Sequence, residues 1–241
     1  MQKNKHLKAL IEILEKNKDK AYPVLGSSFS KEDFCPISLS VKNPLENLKL
    51  PKMSNFDVTT YDGLEKYVKS ILSFHQAKVA QGGYGEHRAI YTSSEHFNTA
   101  VEDRCMHLGI DLWADEGTPV FAPLDGTVHS FRYNDQVLDY GATIITQHEL
   151  EGIAFYLLFG HLSLKSLEKR YKNEKILRGS QFAWLGNRHE NGGWVPHLHL
   201  QLITDLMGWE GDFPGVATQA DSTKLLEICP SPEVFCGYSA P

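Results

Sequence analysis

His197-Leu198-His199-Leu200-Gln201-Leu202 is the stretch that decides the fold, because its polar and apolar residues alternate strictly. In a β-strand residues i and i+2 share a face, so the histidines and the glutamine point one way and the leucines point into a core. Upstream, His107-Leu108-Gly109-Ile110-Asp111-Leu112 repeats the alternation, with Gly109 leaving space between an imidazole and a carboxylate. Two such strands brought together predict a site with three ligands.

The residues His107, Asp111 and His199 match the ligand count of a catalytic zinc site. Such a site takes three protein ligands and keeps a fourth position for water, whose pKa falls to roughly 7. His197 shares a face with His199 and is predicted to lie beside the metal, as a base or as a donor to a developing oxyanion. His161 follows a glycine at the end of an apolar run and is predicted to present a second such imidazole.

The remaining histidines and the cysteines are predicted to have ordinary structural roles. A lone histidine is usually a surface or hydrogen-bonded residue, and this applies to His6, His75, His87, His96, His129, His148 and His189. Cys105 is an alternative metal ligand because zinc accepts thiolate, although Asp111 offers a better oxygen ligand. No CxxC pair occurs among Cys35, Cys105, Cys229 and Cys236, which favours reduced thiols over disulfides.

Composition excludes several classes of protein. The chain has 241 residues, of which 41% are hydrophobic, enough for the core of one large domain or of a domain with an appendage. A net charge of -6 without a Lys/Arg-rich run argues against nucleic acid or anionic membranes as partners. No run nears the roughly 18 apolar residues of a membrane span. Residues 1–14 lack a signal-peptide cleavage site, so we expect a cytoplasmic protein, with a secreted form still open.

The first 83 residues are predicted to be a helical and irregular extension. Residues 3–18 have apolar side chains at helical spacing among lysines and glutamates, which predicts an amphipathic helix. Residues 21–51 are rich in Pro, Ser and Asn, with one short strand predicted at Ile37–Val41. A second helix is predicted from a cap at Asp62 through Val79, until Gly82-Gly83 stops it.

After Gly83 the sequence favours antiparallel sheet, so the predicted class is α+β. Residues 118–123 and 127–131 are predicted to form one hairpin around Asp125-Gly126, and residues 142–148 and 153–159 another. Only residues 164–175 show a further helical pattern. We therefore expect an extension at 1–83 and a mainly antiparallel β domain at 84–241.

A family resemblance adds to this interpretation. The run MHLGIDLWADEGTPVFAPLDGTVHSF, followed by DYGATIITQHE, FYLLFGHLS and PHLHLQL, resembles the lysostaphin-type or LytM-type zinc metallopeptidases of family M23, over about residues 104–204. The resemblance implies one zinc held by His107, Asp111 and His199, with catalytic roles for His161 and His197. It also implies that residues 84–241 form a β core of lysostaphin type with a groove, and that the protein is an endopeptidase acting on peptidoglycan.

The flanking segments GGYGEHRAIYT, ENGGWVPHLHLQLITD and DFPGVA are similar to a narrower subgroup. In that subgroup an M23-like domain lies between a kinase-like segment and a class III aminotransferase. This likeness implies a metabolic enzyme as a partner.

Two departures from the family leave alternatives open. The absence of a clear leader leaves the substrate open between peptidoglycan, which would need an extracytoplasmic location, and a small peptide. Residues 188–194 replace a small Gly/Thr-rich loop, and Arg188 and Trp194 either line a pocket for a substrate carboxylate or, for Trp194, pack under the sheet. The alternative functions are a non-catalytic module that binds a peptide or partner, and a module that serves a metabolic enzyme.

Overall fold

The computed structural model describes residues 2–40, 50–88, 98–99 and 102–237. Within these residues the helices are α1 (Gln2–Lys16), α2 (Tyr61–His75) and α3 (Ser222–Ile228). The strands are β1 (Phe34–Pro36), β2 (Val79–Gly82), β3 (Asn98–Thr99), β4 (Glu102–His107), β5 (Ile110–Trp113), β6 (Pro119–Phe121), β7 (Gly126–Asn134), β8 (Gly141–Leu150), β9 (Ile153–Leu162), β10 (Lys175–Ile176), β11 (Gln181–Trp184), β12 (His197–Ile203) and β13 (Val216–Thr218).

One large sheet carries most of the strands. Its eight strands lie in the order β1-β2-β5-β12-β9-β8-β7-β10, and a two-stranded sheet (β11-β6) and a three-stranded sheet (β13-β4-β3) accompany it. Every pairing is antiparallel except that of β1 with β2. The predicted α+β class with a mainly antiparallel core is confirmed.

Strand β12 lies in the middle of the large sheet, between β5 and β9. Its three leucines, Leu198, Leu200 and Leu202, are fully buried in the main hydrophobic core, as the alternation predicts. In the register, His199 lies opposite Asp111 on β5 and opposite Gly160 on β9. Directly opposed residues in antiparallel strands have their Cβ atoms about 5 Å apart. The register therefore brings two of the predicted ligands together.

Of the two predicted hairpins, the structure contains the second but not the first. Strands β8 and β9 pair over their whole length, which confirms the second hairpin. The first is wrong, because β6 pairs with β11 and not with β7. The cause lies in the intervening turn, where the Asp125 carboxylate accepts from the Arg178 amide at 2.7 Å and the Ala122 amide donates to the Ser180 carbonyl. These bonds hold the end of β6 beside the later strand.

The two N-terminal helices form, but α2 is shorter than predicted. Its N-cap is Thr60, whose hydroxyl accepts from the amide of Gly63, so Asp62 lies in the first turn and does not cap. Gln76 then adopts a left-handed conformation, with φ 54°, and ends the helix. Val79 consequently belongs to β2 and not to the helix.

Two other local predictions are wrong. The short strand lies at Phe34–Pro36 and not at Ile37–Val41, of which Val41 lies outside the described residues. Ser38 turns inward instead, to a hydrogen bond with Glu86. Residues 164–175 contain only a single 3₁₀ turn, at Leu164–Leu167, because Lys169 and Asn173 have φ values of 60° and 67° that no α-helix accommodates.

The N-terminal segment packs as part of the same body as the large sheet. Strands β1 and β2 extend that sheet beside β5, and Leu10 and Leu14 of α1 lie in the same core as the β12 leucines. The proposed domain boundary at residue 83 stays a prediction. None of the helices in the described part of the chain has the length and apolar character that crossing a membrane requires.

Candidate metal centre

Three of the predicted residues converge on one buried point. His107 lies at the end of β4, Asp111 in β5 and His199 in β12, and all three are nearly inaccessible to solvent. The Nε2 atom of His107 lies 3.0 Å from Nδ1 of His199 and 3.3 Å from Oδ1 of Asp111. Nδ1 of His199 lies 3.1 Å from the same carboxylate oxygen. These residues form a group of donors able to hold a metal ion.

The spacing of these three donor atoms fits zinc. Tetrahedral zinc with bonds of 2.0–2.2 Å places neighbouring ligand atoms about 3.3–3.6 Å apart, so the observed separations of 3.0–3.3 Å need to widen by only a few tenths of an ångström. Gly109 makes the approach feasible, since a Cβ there would lie 2.7 Å from the ring of His199. The sequence predicted that Gly109 leaves space between His107 and Asp111, and the structure shows the ring of His199 in that space. Cys105 is not among the converging donors. All four cysteines are buried, and none of them forms a disulfide in the described part of the chain.

Each metal-facing imidazole is held by a hydrogen bond from its other nitrogen. His107 donates from Nδ1 to the carbonyl of Gly83 at 2.9 Å, so the Nε2 lone pair faces the centre. His199 has the opposite tautomer, with Nε2 donating to Oε1 of Gln201 at 3.0 Å and Nδ1 facing inward. Such partners fix ring orientation and tautomer at metal sites. Gln201 is in turn held by the Pro214 carbonyl.

The two non-ligand histidines lie beside this centre. Nε2 of His197 is 3.8 Å from Oδ1 of Asp111, while its Nδ1 donates to the Val195 carbonyl at 2.7 Å. His161 donates from Nδ1 to the Asn191 carbonyl at 2.9 Å, and its ring centroid lies 4.3 Å from that of His197. The structure thus gathers all five residues that the sequence selected. Their individual roles stay predictions.

Burial lowers the pKa of three imidazoles near the centre, those of His107, His161 and His197. Burial, followed by the charge of Arg88, lowers the pKa of His107 to about 4. Burial also lowers the pKa of His197, and it holds the pKa of His161 well below its usual value, with the neighbouring His197 as the next cause. Neutral imidazoles at neutral pH present lone pairs, as metal binding and proton abstraction require.

Asp111 remains ionised in spite of its burial. Burial alone raises the pKa of its carboxyl group, but His107 and Arg88 outweigh burial and hold that pKa well below its usual value. Arg88 donates from Nη1 to Oδ2 of Asp111 at 2.6 Å. The other oxygen, Oδ1, is the one that faces the histidines. The carboxylate therefore offers a single oxygen to a metal.

An open pocket of about 300 Å³ adjoins the cluster. Its walls include His107, His161 and His199, together with the aromatic side chains of Tyr140, Trp194 and Trp209 and the acidic residues Asp139 and Asp212. Trp194 therefore lines the pocket, one of the two roles left open for it. Arg188 does not line it, because its guanidinium lies 4.1 Å above the ring of Tyr61 on α2.

Sequence reasoning missed three of the residues that hold the ligands. Gly83 acts through its carbonyl, which no side-chain pattern reveals. Arg88 belongs to a short bridge far from the ligands in sequence, and nothing in the sequence marks it as buried. Gln201 was placed on the histidine face of β12, and its position two residues after His199 was the available signal.

Comparison with known proteins identifies the segment that carries the site. Residues 105–209 match the model of peptidase family M23. An uncharacterized metalloprotease of Haemophilus influenzae (strain ATCC 51907 / DSM 11121 / KW20 / Rd) is 36% identical over 96 residues, which are 40% of this chain and 18% of the relative. The aligned part is thus under a fifth of that relative's length.

Solved structures show partial likeness. The catalytic domain of the antimicrobial peptidase lysostaphin from Staphylococcus simulans has a TM-score of 0.39 and 22% identity, covering 60% of this chain and 90% of that one. A zinc-containing peptidase from Vibrio cholerae has a TM-score of 0.33 and 23% identity, covering 44% of this chain and 29% of that one. The distances given above for the candidate metal centre are measured in this chain and are not taken from these structures.

Proposed function

We propose that the protein is a zinc-dependent peptidase, because residues 105–209 match the model of peptidase family M23. The observation that carries the proposal is the convergence of His107, Asp111 and His199, whose donor atoms lie 3.0–3.3 Å apart, with two further imidazoles beside them. Inactive sites of this kind usually lack a metal ligand or a catalytic histidine, whereas this chain has all five of the predicted residues.

The three ligands would hold the metal in a buried, preorganised setting. When bound, zinc supplies Lewis-acid chemistry, which polarises a carbonyl group and makes water a stronger acid. Asp111 contributes the one negative charge among the ligands, while the hydrogen bonds from His107 and His199 to Gly83 and Gln201 prevent ring rotation. Little reorganisation then accompanies the reaction.

His197 and His161 would handle the protons. Because each donates its Nδ1 hydrogen to a backbone carbonyl, each has an unprotonated Nε2 at neutral pH. His197 lies nearer to Asp111, with its Nε2 3.8 Å from Oδ1, and would accept a proton from the attacking water. His161 lines the pocket, and its ring centroid lies 4.3 Å from that of His197, so it would take up the proton that His197 removes from water and pass it to the leaving amine.

We propose that the substrate is a peptide that enters the 300 Å³ pocket, and that an internal peptide bond of this substrate is hydrolysed. The aromatic walls formed by Tyr140, Trp194 and Trp209 offer apolar contact to side chains or to a compact peptide backbone. Peptidoglycan and small peptides both meet this description. Glycine-rich peptides and peptides that contain D-amino acids are therefore the first substrates to test.

The test combines metal analysis with hydrolysis assays on the full chain. We expect about one zinc per chain, lost in His199→Ala, and hydrolysis of at least one of these peptides. His197→Ala is expected to retain zinc while turnover falls about 100-fold or more, because general base catalysis contributes that much. The control is His189→Ala, which removes an exposed histidine outside the cluster and is expected to change neither quantity.

Two results would contradict the proposal. Failure of the wild-type chain to take up zinc at neutral pH would mean that the donors do not act together. Full zinc occupancy without hydrolysis of either peptide class would leave the non-catalytic binding module as the function. Retained turnover in His197→Ala would remove that residue from the mechanism while leaving the peptidase assignment in place.

A further inference from the structure

Arg88 is the most deeply buried charged side chain beside the centre, with 1% of its side chain exposed. It lies outside the segment that matches family M23. Its Nη1 donates to Oδ2 of Asp111 at 2.6 Å, its Nε donates to Oε2 of Glu86 at 3.0 Å, and its guanidinium lies 5.7 Å from the centroid of the Trp113 ring. A guanidinium held on two sides in this way has little freedom to rotate.

We propose that Arg88 is a positioning residue for the metal centre. We also propose that Glu86, which is itself bound by Ser38 and Leu39 of the N-terminal segment, holds Arg88 in place. The inference rests on the proposed zinc site. By occupying Oδ2 of Asp111, Arg88 leaves only Oδ1 directed at His107 and His199. A free carboxylate could swing or bind through both oxygens, whereas this one is restricted to a single oxygen at a defined position.

The charge of Arg88 is offset locally. Glu86 places a carboxylate on the far side of the guanidinium, and its own position is set by Oγ of Ser38 at 2.6 Å and by the amide of Leu39 at 3.3 Å. The Glu86–Arg88 pair therefore orients Asp111 without adding a net charge next to a dication. Without Glu86, the positive charge of Arg88 would repel the zinc ion and weaken its attraction to the Asp111 carboxylate.

The backbone at Gly83 leaves room for the Arg88 side chain. Gly83 has φ 101°, and a Cβ at that position would lie 1.8 Å from Nη2 of Arg88. Its carbonyl also accepts the hydrogen bond from Nδ1 of His107. One residue thus makes room for the arginine and orients a ligand. Gly83, Glu86 and Arg88 together hold two of the three ligands, and Ser38 connects them to the chain after β1.

The test measures zinc affinity by competition with a chromophoric chelator and records the visible spectrum of the Co²⁺-substituted protein. Arg88→Lys keeps the charge but loses the planar fork, and we expect zinc affinity to fall about tenfold or more, as when hydrogen-bond partners of metal ligands are removed. The Co²⁺ bands should shift because the geometry around Asp111 changes. A merely structural role would leave those bands in place.

The matched control is Arg170→Lys. Arg170 also forms a short ion pair, with Glu174 at 2.6 Å, and lies against the ring of Phe182, but it contacts none of the site residues in the described structure. We expect unchanged zinc affinity and Co²⁺ spectrum in this variant. Similar losses in both variants would overturn the proposal, because they would show a general effect of a lost ion pair.

A second variant keeps the proposal testable if Arg88→Lys does not fold. Glu86→Gln preserves shape but leaves the arginine charge uncompensated, so zinc affinity is expected to fall while the protein stays folded. Wild-type affinity and spectrum in any folded Arg88 or Glu86 variant would overturn the positioning role. Zinc affinity is measured without substrate, so absence of hydrolysis by the wild-type chain would refute the proposed function alone.

Discussion

The backbone of His161 lies in the left-handed region, with φ 61°, although the residue is neither glycine nor asparagine. Such a conformation costs about 1–2 kcal/mol for a residue with a Cβ. The strain has a visible consequence, because it places the imidazole 4.3 Å from that of His197 and beside the pocket. Strain that persists at a buried cluster of polar groups is typical of functional sites.

This strain predicts an unusual order of stability. His161→Ala and His161→Gly both remove the imidazole, but only glycine adopts a positive φ without cost. We expect the glycine variant to be more stable than the alanine variant by about 1 kcal/mol, measured by urea unfolding, and neither to support turnover. At His197, a buried strand histidine without positive φ, the same pair should show the ordinary order, alanine above glycine. The reverse order at His161 would mean that its backbone is not strained.

At the scale of elements, the site is a product of strand order. Asp111, His199 and Gly160 lie side by side on β5, β12 and β9, while His107 arrives from β4 in the three-stranded sheet. The β8–β9 hairpin supports the outer part of the same sheet. It buries His148, which donates from Nδ1 to the Asp125 carbonyl at 3.0 Å and accepts at Nε2 from the Thr146 hydroxyl at 2.7 Å.

The buried His148 predicts a pH dependence of stability. Burial lowers its pKa from 6.5 to about 4, so the unfolded chain takes up the proton first as the pH falls. Stability is therefore lost between pH 6.5 and 4, by about 3 kcal/mol for this residue. Urea unfolding of wild type and His148→Gln at pH 7 and pH 4 should show a smaller loss in the variant. Equal losses would show that His148 does not titrate as described, since other buried histidines contribute equally to both chains.

On the scale of the whole molecule, the N-terminal segment and the segment that matches family M23 share one sheet and one core. Strands β1 and β2 extend the sheet that contains β5 and β12. Just after β2, the Gly83 carbonyl accepts a hydrogen bond from His107, and Arg88 donates one to Asp111. The family match and the donor set support zinc as the cofactor. A cytoplasmic location and a metabolic-enzyme partner stay predictions, and co-purification tests the second.

Zinc binding and folding are expected to be coupled across this whole body. The ligands come from three strands and meet only in the folded chain, so zinc stabilises the native state by mass action. Free zinc at 100 times its dissociation constant should raise the free energy of unfolding by about 2.7 kcal/mol. His199→Ala should show no such increase. An unfolding midpoint of the wild type that is indifferent to zinc and to chelator would contradict coupled binding.

The sequence by itself determined the α+β class, the central strand β12, the β8–β9 hairpin and the choice of five residues that the fold brings together. Each of these depends on side-chain alternation or motif spacing, which is local and visible in the chain. Only the tertiary structure revealed the pairing of β6 with β11, the early end of α2, and the roles of Gly83, Arg88 and Gln201 in holding the ligands. Most of these features depend on contacts between residues far apart in sequence, and on backbone carbonyls and buried charges, whose positions are set by strand order and not by any repeating pattern of residue types.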